Sequence, residues 1–349
     1  VGTVAGLCLL LILYAIGRIN PDDLLRTSTV VWTGTDWVDG TGYWLTNDRF
    51  RAITYSADNH VIMVELQHAT SDKATRVTHA LPISAPMIPG INMTYPNGVT
   101  VQEAFFDCDW SPLGYLLCTD YRGRAMVVDP EGDKVIPVSG LTPGTPWLGQ
   151  KWLPDGKWIV ALSVDVPSRL WIVDPFHPNH DRRLTVDTGI IALPTGFDRQ
   201  GRLAMRGVGT SGMMDTLTFL PLGDASGQSV SSSLQVNIPW GYQVANVTLS
   251  RSGDTLLWTL WRDGSIPRTW TEKLLAHVIH PHKYLEVSIW TSRLQQTGIK
   301  RIGAIKLEPN APEAALVPYK DVLQATWLPD GKRFSFVFRH KLYVHPIGG

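Results

Sequence analysis

The chain has 349 residues, 44% apolar and 18% charged, with 31 basic and 31 acidic side chains. That length suits one large domain or two ordinary ones, and the even charge balance argues against a basic nucleic-acid surface and an acidic disordered tail. With 31 glycines and 24 prolines the chain is rich in turns, and its 14 tryptophans favour sheets and interfaces.

The first element is VGTVAGLCLLLILYAIG, residues 1–17, which carries no charge. As a helix it would span about 25 Å, a little short of a bilayer core of about 30 Å. It reads as a single-pass membrane anchor, or as a signal peptide cut after Ala15-Ile16-Gly17. A buried soluble helix is the third reading. Both of the first two export the remainder, so the expected location is the cell membrane with the domain in the periplasm or outside the cell, or secretion after cleavage. Residues 1–18 are assigned to this segment, 19–28 to a linker and 29–349 to the folded domain.

The domain repeats one turn. Trp152–Val160 reads WLPDGKWIV and Trp327–Phe336 reads WLPDGKRFSF. Pro presets φ for a type I turn, Asp accepts the next position, and Gly takes the left-handed one that lets two strands fold back. The same shape recurs in YWLTNDRFRAITYS, CDWSPLGYLLCTD, GFDRQGRLAMRGV and TLSRSGDTLLWTL, giving six copies. Apolar third strands follow most of them: HVIMVEL, RAMVVDP, RLWIVDP, TLTFLPL and KLYVHPI. The steps Gly114–Gly156–Gly201–Gly253 are 42, 45 and 52 residues, the period of a four-stranded propeller blade. The outer steps, Asp48–Gly114 and Gly253–Gly331, are 66 and 78, so two blades carry insertions, the second placed at 262–287 in blade five. KWIVALSV and LLWTLW are nearly continuous apolar runs, as strands covered on both faces should be. A sandwich of six hairpins is the competing architecture, but it does not need the same turn in the same register each time.

The run W-L-P-D-G-K…RLWIVDP…DRRLT, Trp152 to Thr185, resembles the repeat of the TolB-type propellers, relatives of the WD-repeat proteins. The resemblance covers roughly residues 29–347 and implies an all-β, six-bladed β-propeller of four-stranded antiparallel blades. It concerns strands and turns, so it speaks to fold. Closure is a sharper expectation. The last blade ends one strand short, while STVVWTG, Ser28–Gly34, has no partner in the first. The N-terminal strand should therefore close the last blade and remove two open sheet edges.

Chemistry is less legible. No nucleophile elbow, Walker loop, dinucleotide fingerprint, HExxH or EF-hand loop is present. Asp155 and Asp330 read as turn residues, not calcium ligands. Cys108 and Cys118 flank a hairpin turn, so they form a disulfide or are two small buried residues on neighbouring strands, a choice that hangs on register. The blade-five insertion holds His277, His280 and His282, with TEKLLAHVI as a short helix capped by Thr271 and Glu286 as a further ligand. Three imidazoles at that spacing are weak candidates for a zinc or copper site, and the bland reading is a solvated surface insertion. Trp261, Trp270 and Trp290 are the candidate partner-binding residues, since exposed Trp is typical of interface hot spots. Asn92 and Asn246 lie in glycosylation sequons.

The expected function is binding: a membrane-anchored extracytoplasmic scaffold, receptor or accessory subunit with protein partners, part of a membrane complex, with no cofactor, no catalytic residues assigned and no nucleic acid. One alternative is the sensor domain of a single-span regulator or kinase whose upstream module precedes Val1. The other is a propeller lyase or hydrolase with scattered titratable groups at the channel mouth. TolB-type relatives generally bind proteins, and the resemblance implies the same here.

Overall fold

The computed structural model describes residues 23–34, 42–55, 60–71, 73–84, 91–94, 100–103, 106–120, 125–138, 147–163, 169–177, 182–184, 192–207, 214–221, 232–264, 284–317 and 321–347. Helix α1 (Asp23–Thr27) and strand β1 (Thr29–Thr33) come first. Blade one is β2 (Tyr43–Thr46), β3 (Arg49–Tyr55), β4 (His60–Gln67) and β5 (Thr75–Ser84). A separate hairpin, β6 (Ile91–Thr94) with β7 (Thr100–Glu103), fills the long first interval. Blade two is β8 (Phe106–Trp110), β9 (Leu116–Asp120), β10 (Ala125–Val128) and β11 (Val135–Pro137). Blade three is β12 (Trp147–Trp152), β13 (Ile159–Ser163), β14 (Arg169–Val173) and β15 (Arg182–Leu184). Blade four is β16 (Ala192–Phe197), β17 (Leu203–Gly207), β18 (Met214–Leu220) and β19 (Ser232–Asn237). Blade five is β20 (Gln243–Leu249), β21 (Thr255–Asp263), β22 (Leu285–Arg293) and β23 (Lys300–Leu307), followed by helix α2 (Pro312–Leu316). Blade six is β24 (Thr326–Trp327), β25 (Arg333–Phe338) and β26 (Lys341–Pro346) with β1 as its outermost strand.

The repeated turn does in three dimensions what its letters promise. Gly114, Gly156, Gly201, Gly253 and Gly331 have φ of +90°, +67°, +72°, +70° and +63°. Each donates its amide to the residue three before it: Gly156 to Leu153 (2.8 Å), Gly331 to Leu328 (3.0 Å), and the others likewise to Ser111, Asp198 and Ser250. Asp155 Oδ1 accepts the Lys157 amide (2.9 Å) and Asp330 Oδ1 the Lys332 amide (2.8 Å), so both carboxylates close turns as expected. Blade one uses the tighter Asn47-Asp48 link, with Thr46 opposite Arg49.

Apolar residues on both faces of each sheet make six interblade cores. They lie between blades one and two (Ile53, Met63 with Trp110, Leu116), two and three (Leu117, Val127 with Trp152, Ile159), and three and four (Val160, Leu170 with Leu203, Met205). The remaining three join blades four and five (Ala204, Leu217 with Trp258), five and six (Val287, Ile305 with Phe334, Phe336), and six and one (Leu342, Val344 with Trp44, Phe50). The sixth interface closes the ring, which is a six-bladed all-β propeller. Its closure is as expected: Val30 pairs with Tyr343 and Trp32 with Leu342 on the final strand.

Two boundaries change and one open choice is decided. The segment taken as a linker contains α1, whose Leu24 is fully buried in the core between blades five and six. Cys108 and Cys118 are directly opposed on β8 and β9 and form a disulfide, because the turn at Ser111–Gly114 sets that register. The blade-five strands run on to Asp263 and resume at Leu285, so Arg262, Glu286 and Val287 belong to the sheet and not to the insertion. The apolar segment 1–17 lies outside the described residues, and no helix among those is long and apolar enough to cross a membrane.

Candidate functional site

Two places gather side chains that the packing of strands alone does not demand. The first is the axis, where each inner strand presents an unpaired edge. Side chains from other blades satisfy these edges. Asp109 on β8 accepts the Trp152 amide of the next inner strand (2.9 Å) and Lys151 Nζ (3.0 Å), while the Trp152 indole donates to the Asp109 carbonyl (3.2 Å). Trp327 repeats the indole contact to Thr248 of blade five (3.2 Å). Arg251, in the blade-five turn, reaches past blade six to blade one, donating to the Tyr43 hydroxyl and to the Trp44 carbonyl (3.0 Å). The Tyr43 hydroxyl also feels the charges of Asp109 and Lys151 from blades two and three.

Burial raises the Tyr43 phenol above its ordinary value, against the opposing pull of Arg251. A phenol so held stays protonated near neutrality. It serves as an acceptor for Arg251, not as a base or nucleophile. Each polar group of this set is tied to a strand edge or a neighbour. The arrangement ties neighbouring and more distant blades together near the repeated turns.

Asp321, on the link into β24, is a second tie. Its Oδ2 accepts from Asn246 Nδ2 (3.1 Å), Thr259 Oγ1 (3.3 Å) and the Ala325 amide (3.3 Å), and its Oδ1 from the Leu323 amide (3.0 Å). Burial raises its pKa although these donors favour the charged form. Asn246 is thereby committed inside the ring, which removes that sequon as a glycan acceptor. The side chain of Asn92 lies outside the described set.

The second place is the connection from β19 to β20, opposite the repeated turns. Residues Pro239-Trp240-Gly241-Tyr242 form a turn in which the Tyr242 amide donates to the Pro239 carbonyl (3.0 Å). Gly241 has φ +74°, as the third position of a type II turn requires. Trp240 at its tip is 58% exposed, while the adjacent Tyr242 is 5% exposed. Tyr242 is fixed from beneath. Its hydroxyl donates to Glu286 Oε1 (2.6 Å), Arg262 donates to Glu286 Oε2 (2.7 Å), and the Arg262 guanidinium stands 5.4 Å over the Tyr242 ring. Burial pulls the Arg262 pKa down, but Glu286 together with Tyr242 and Tyr284 outweighs it and holds Arg262 above its usual value. Trp290 meets Tyr242 edge to face, with centroids 5.3 Å apart, and donates to Ser288 Oγ (2.8 Å). An apolar side chain is thus displayed on a rigid, buried base.

Of the three expected partner-binding tryptophans, the two that are described do not come together. Trp261 packs on the core between blades five and six and Trp290 on that between four and five, so they occupy opposite faces of one sheet. Trp270, His277, His280 and His282 lie outside the described residues. Glu286, the proposed further ligand, is buried and held by Tyr242 and Arg262. Among the described residues, no three His, Cys, Asp or Glu side chains are placed to hold a metal ion. Sequence reasoning passed over Trp240, although Pro-Trp-Gly-Tyr is a type II turn signature with an aromatic at its tip. Arg251 had no such local signal.

No protein-family profile matches the chain, and no curated protein matches it. Solved structures of similar shape are propellers at low identity. TolB from Acinetobacter baumannii is 13% identical with a TM-score of 0.39, over 86% of this chain and 63% of TolB. The β-propeller domain of Cps50 (Swd1) from Myceliophteria thermophila is 11% identical with a TM-score of 0.45, over 92% and 100%. A chain of the mitotic checkpoint complex is 13% identical with a TM-score of 0.45, over 91% and 93%.

Proposed function

We propose that the chain is a protein-binding scaffold or receptor that works outside the cytoplasm, attached through its apolar N-terminal segment. The observation that carries the binding role is Trp240. Exposed Trp on a preorganised turn is the side chain that most often anchors a protein interface, because it removes much apolar area from water at little entropic cost. The Tyr242–Glu286–Arg262 base holds it ready before any partner arrives. The Cys108–Cys118 disulfide supports an oxidising compartment, and the uncharged segment 1–17 supports attachment or export.

The convergence of Tyr43, Asp109, Lys151 and Arg251 on the axis is the observation that favours a propeller enzyme. Their commitment to strand edges and to each other favours a structural role instead. The test is crosslinking in intact cells through a photoreactive residue at Gln243, beside the turn, with Trp240→Ala as comparison. A partner crosslinked by the parent and lost at least tenfold in the variant, with unchanged thermal unfolding, supports the reading. Equal crosslinking in both overturns it.

A further inference from the structure

We infer that α1 and β1 form an acid-releasable clasp on the last blade, with His345 as the group that takes up the proton. Helix α1 is short, with one buried residue. Leu24 is fully buried against blades five and six. Asp23 accepts the Ala304 amide (2.6 Å) and pairs with Arg301 (2.9 Å). The helix backbone comes so close to β23 that a Cβ at Gly303 would stand 3.1 Å from Leu24 Cα. Leu25 packs on the same core, β1 pairs along β26 and packs Val31 and Trp32 between blades six and one, and the contact between Thr27 and His345 joins helix to blade.

That contact fixes how the ring is oriented. The Thr27 hydroxyl gives its hydrogen to the Asp23 carbonyl (2.8 Å), so it accepts from His345 Nε2 (3.0 Å). In the neutral ring this arrangement places the hydrogen on Nε2 and leaves Nδ1 bare. The ring is 7% exposed and stacked on Phe334, with centroids 5.1 Å apart. Its Nδ1 is buried and makes no hydrogen bond among the described residues, the Pro346 backbone being the group that favours a proton on the ring. A second proton would place a charged N–H in that position. Burial accordingly holds His345 below the ordinary histidine range, against the weaker influence of the Pro346 carbonyl and the Asp23 carboxylate.

The other charged groups nearby give the imidazolium no dedicated partner. Asp23 on α1 is engaged by Arg301 of β23, and Arg333 of β25 by Asp330 (2.7 Å). Arg26 of α1 and Lys341 of β26 are exposed cations.

The sign follows. A depressed histidine supports the docked state above its free pKa of about 6.5, and that support is lost as pH falls through the docked value. Undocking a five-residue helix and one edge strand admits water to the ring at far lower cost than unfolding the propeller. Acid should therefore open the seam at β26 and free whatever the N-terminal segment holds.

Hydrogen exchange of the full chain at pH 7.5 and 5.5, corrected for intrinsic rates, tests this. Protection of residues 23–34 should fall about tenfold, the limit for a group that cannot protonate while docked. That of β21 and β22 should hold. His345→Phe should flatten the dependence, and Asp23→Asn should keep it. Equal protection of the parent at both pH values, or an equal fall in parent and His345→Phe, overturns the clasp. Should that variant fail to fold, NMR titration of the parent's ring decides. A midpoint well below 6.5 supports the clasp, and one at or above 6.5 overturns it.

Discussion

Substitution of Gly253 by alanine separates two contributions that the ring combines at every repeated turn. Gly253 and Gly201 occupy the same position of the same turn, with φ of +70° and +72°. An L-residue there costs about 1–2 kcal/mol in either place. Their surroundings differ. A Cβ at Gly201 meets nothing within 4 Å, whereas one at Gly253 would lie 2.5 Å from the Asp198 carbonyl carbon and 2.6 Å from the Arg199 nitrogen. Those atoms are backbone of the preceding blade's turn and cannot swing away. They are pinned by Asp198, whose carboxylate accepts the Arg202 amide (2.8 Å) and Arg202 Nε (2.6 Å). Restoring a normal carbon contact of about 3.5 Å requires the two turns to part by roughly 1 Å, an overpacking cost of about 1–3 kcal/mol. Gly201→Ala should thus destabilise by about 1–2 kcal/mol and Gly253→Ala by about 2–5 kcal/mol. Urea unfolding followed by tryptophan fluorescence measures both. Equal losses, within about 0.5 kcal/mol, would refute the claim that the blade-five turn stacks against the backbone of the blade-four turn.

Asp321→Asn should lower stability by about 1–3 kcal/mol, because its amide must face either the Leu323 donor or the three donors at Oδ2; an unchanged urea midpoint would remove the tie between blades five and six. Reducing Cys108–Cys118, which closes a loop with a sequence separation of 10, should cost about 2–3 kcal/mol, read as a drop in midpoint on adding a phosphine reductant. Burial opposes the charge of Glu65, but hydrogen bonds from Arg51, Arg49 and Gln67 outweigh it and hold its carboxyl below the usual value. Its stabilising effect is present above an unfolded pKa of about 4.3 and lost as pH falls through the folded value, so Glu65→Gln should flatten acid unfolding below about pH 4.5.

The repeated turn and its flanking apolar runs were readable because each is governed by neighbours a few residues away. Gly at a left-handed position, Asp closing a turn and apolar residues on both faces of a strand need no knowledge of the rest of the chain. The closing strand was readable by counting, since one blade lacked a strand and one strand lacked a blade. The tryptophan cluster misled because spacing in an insertion says nothing of sheet faces. Trp261 and Trp290 turn to opposite interblade cores, and Trp240, on a connection that looked ordinary, is the tryptophan left outside among the described residues.

By itself, then, the order of residues determined the blade as a unit, the number of blades and the seam at which the ring shuts. Tertiary structure alone decided that Cys108 faces Cys118, that Arg251 crosses to Tyr43, that Asp321 binds Asn246, and that His345 sits beneath α1. Turns and burial patterns arise from short-range sterics and solvent exclusion, which act along the chain. The polar contacts join residues up to hundreds of positions apart, and they exist only once closure has brought the first and last blades to the same axis.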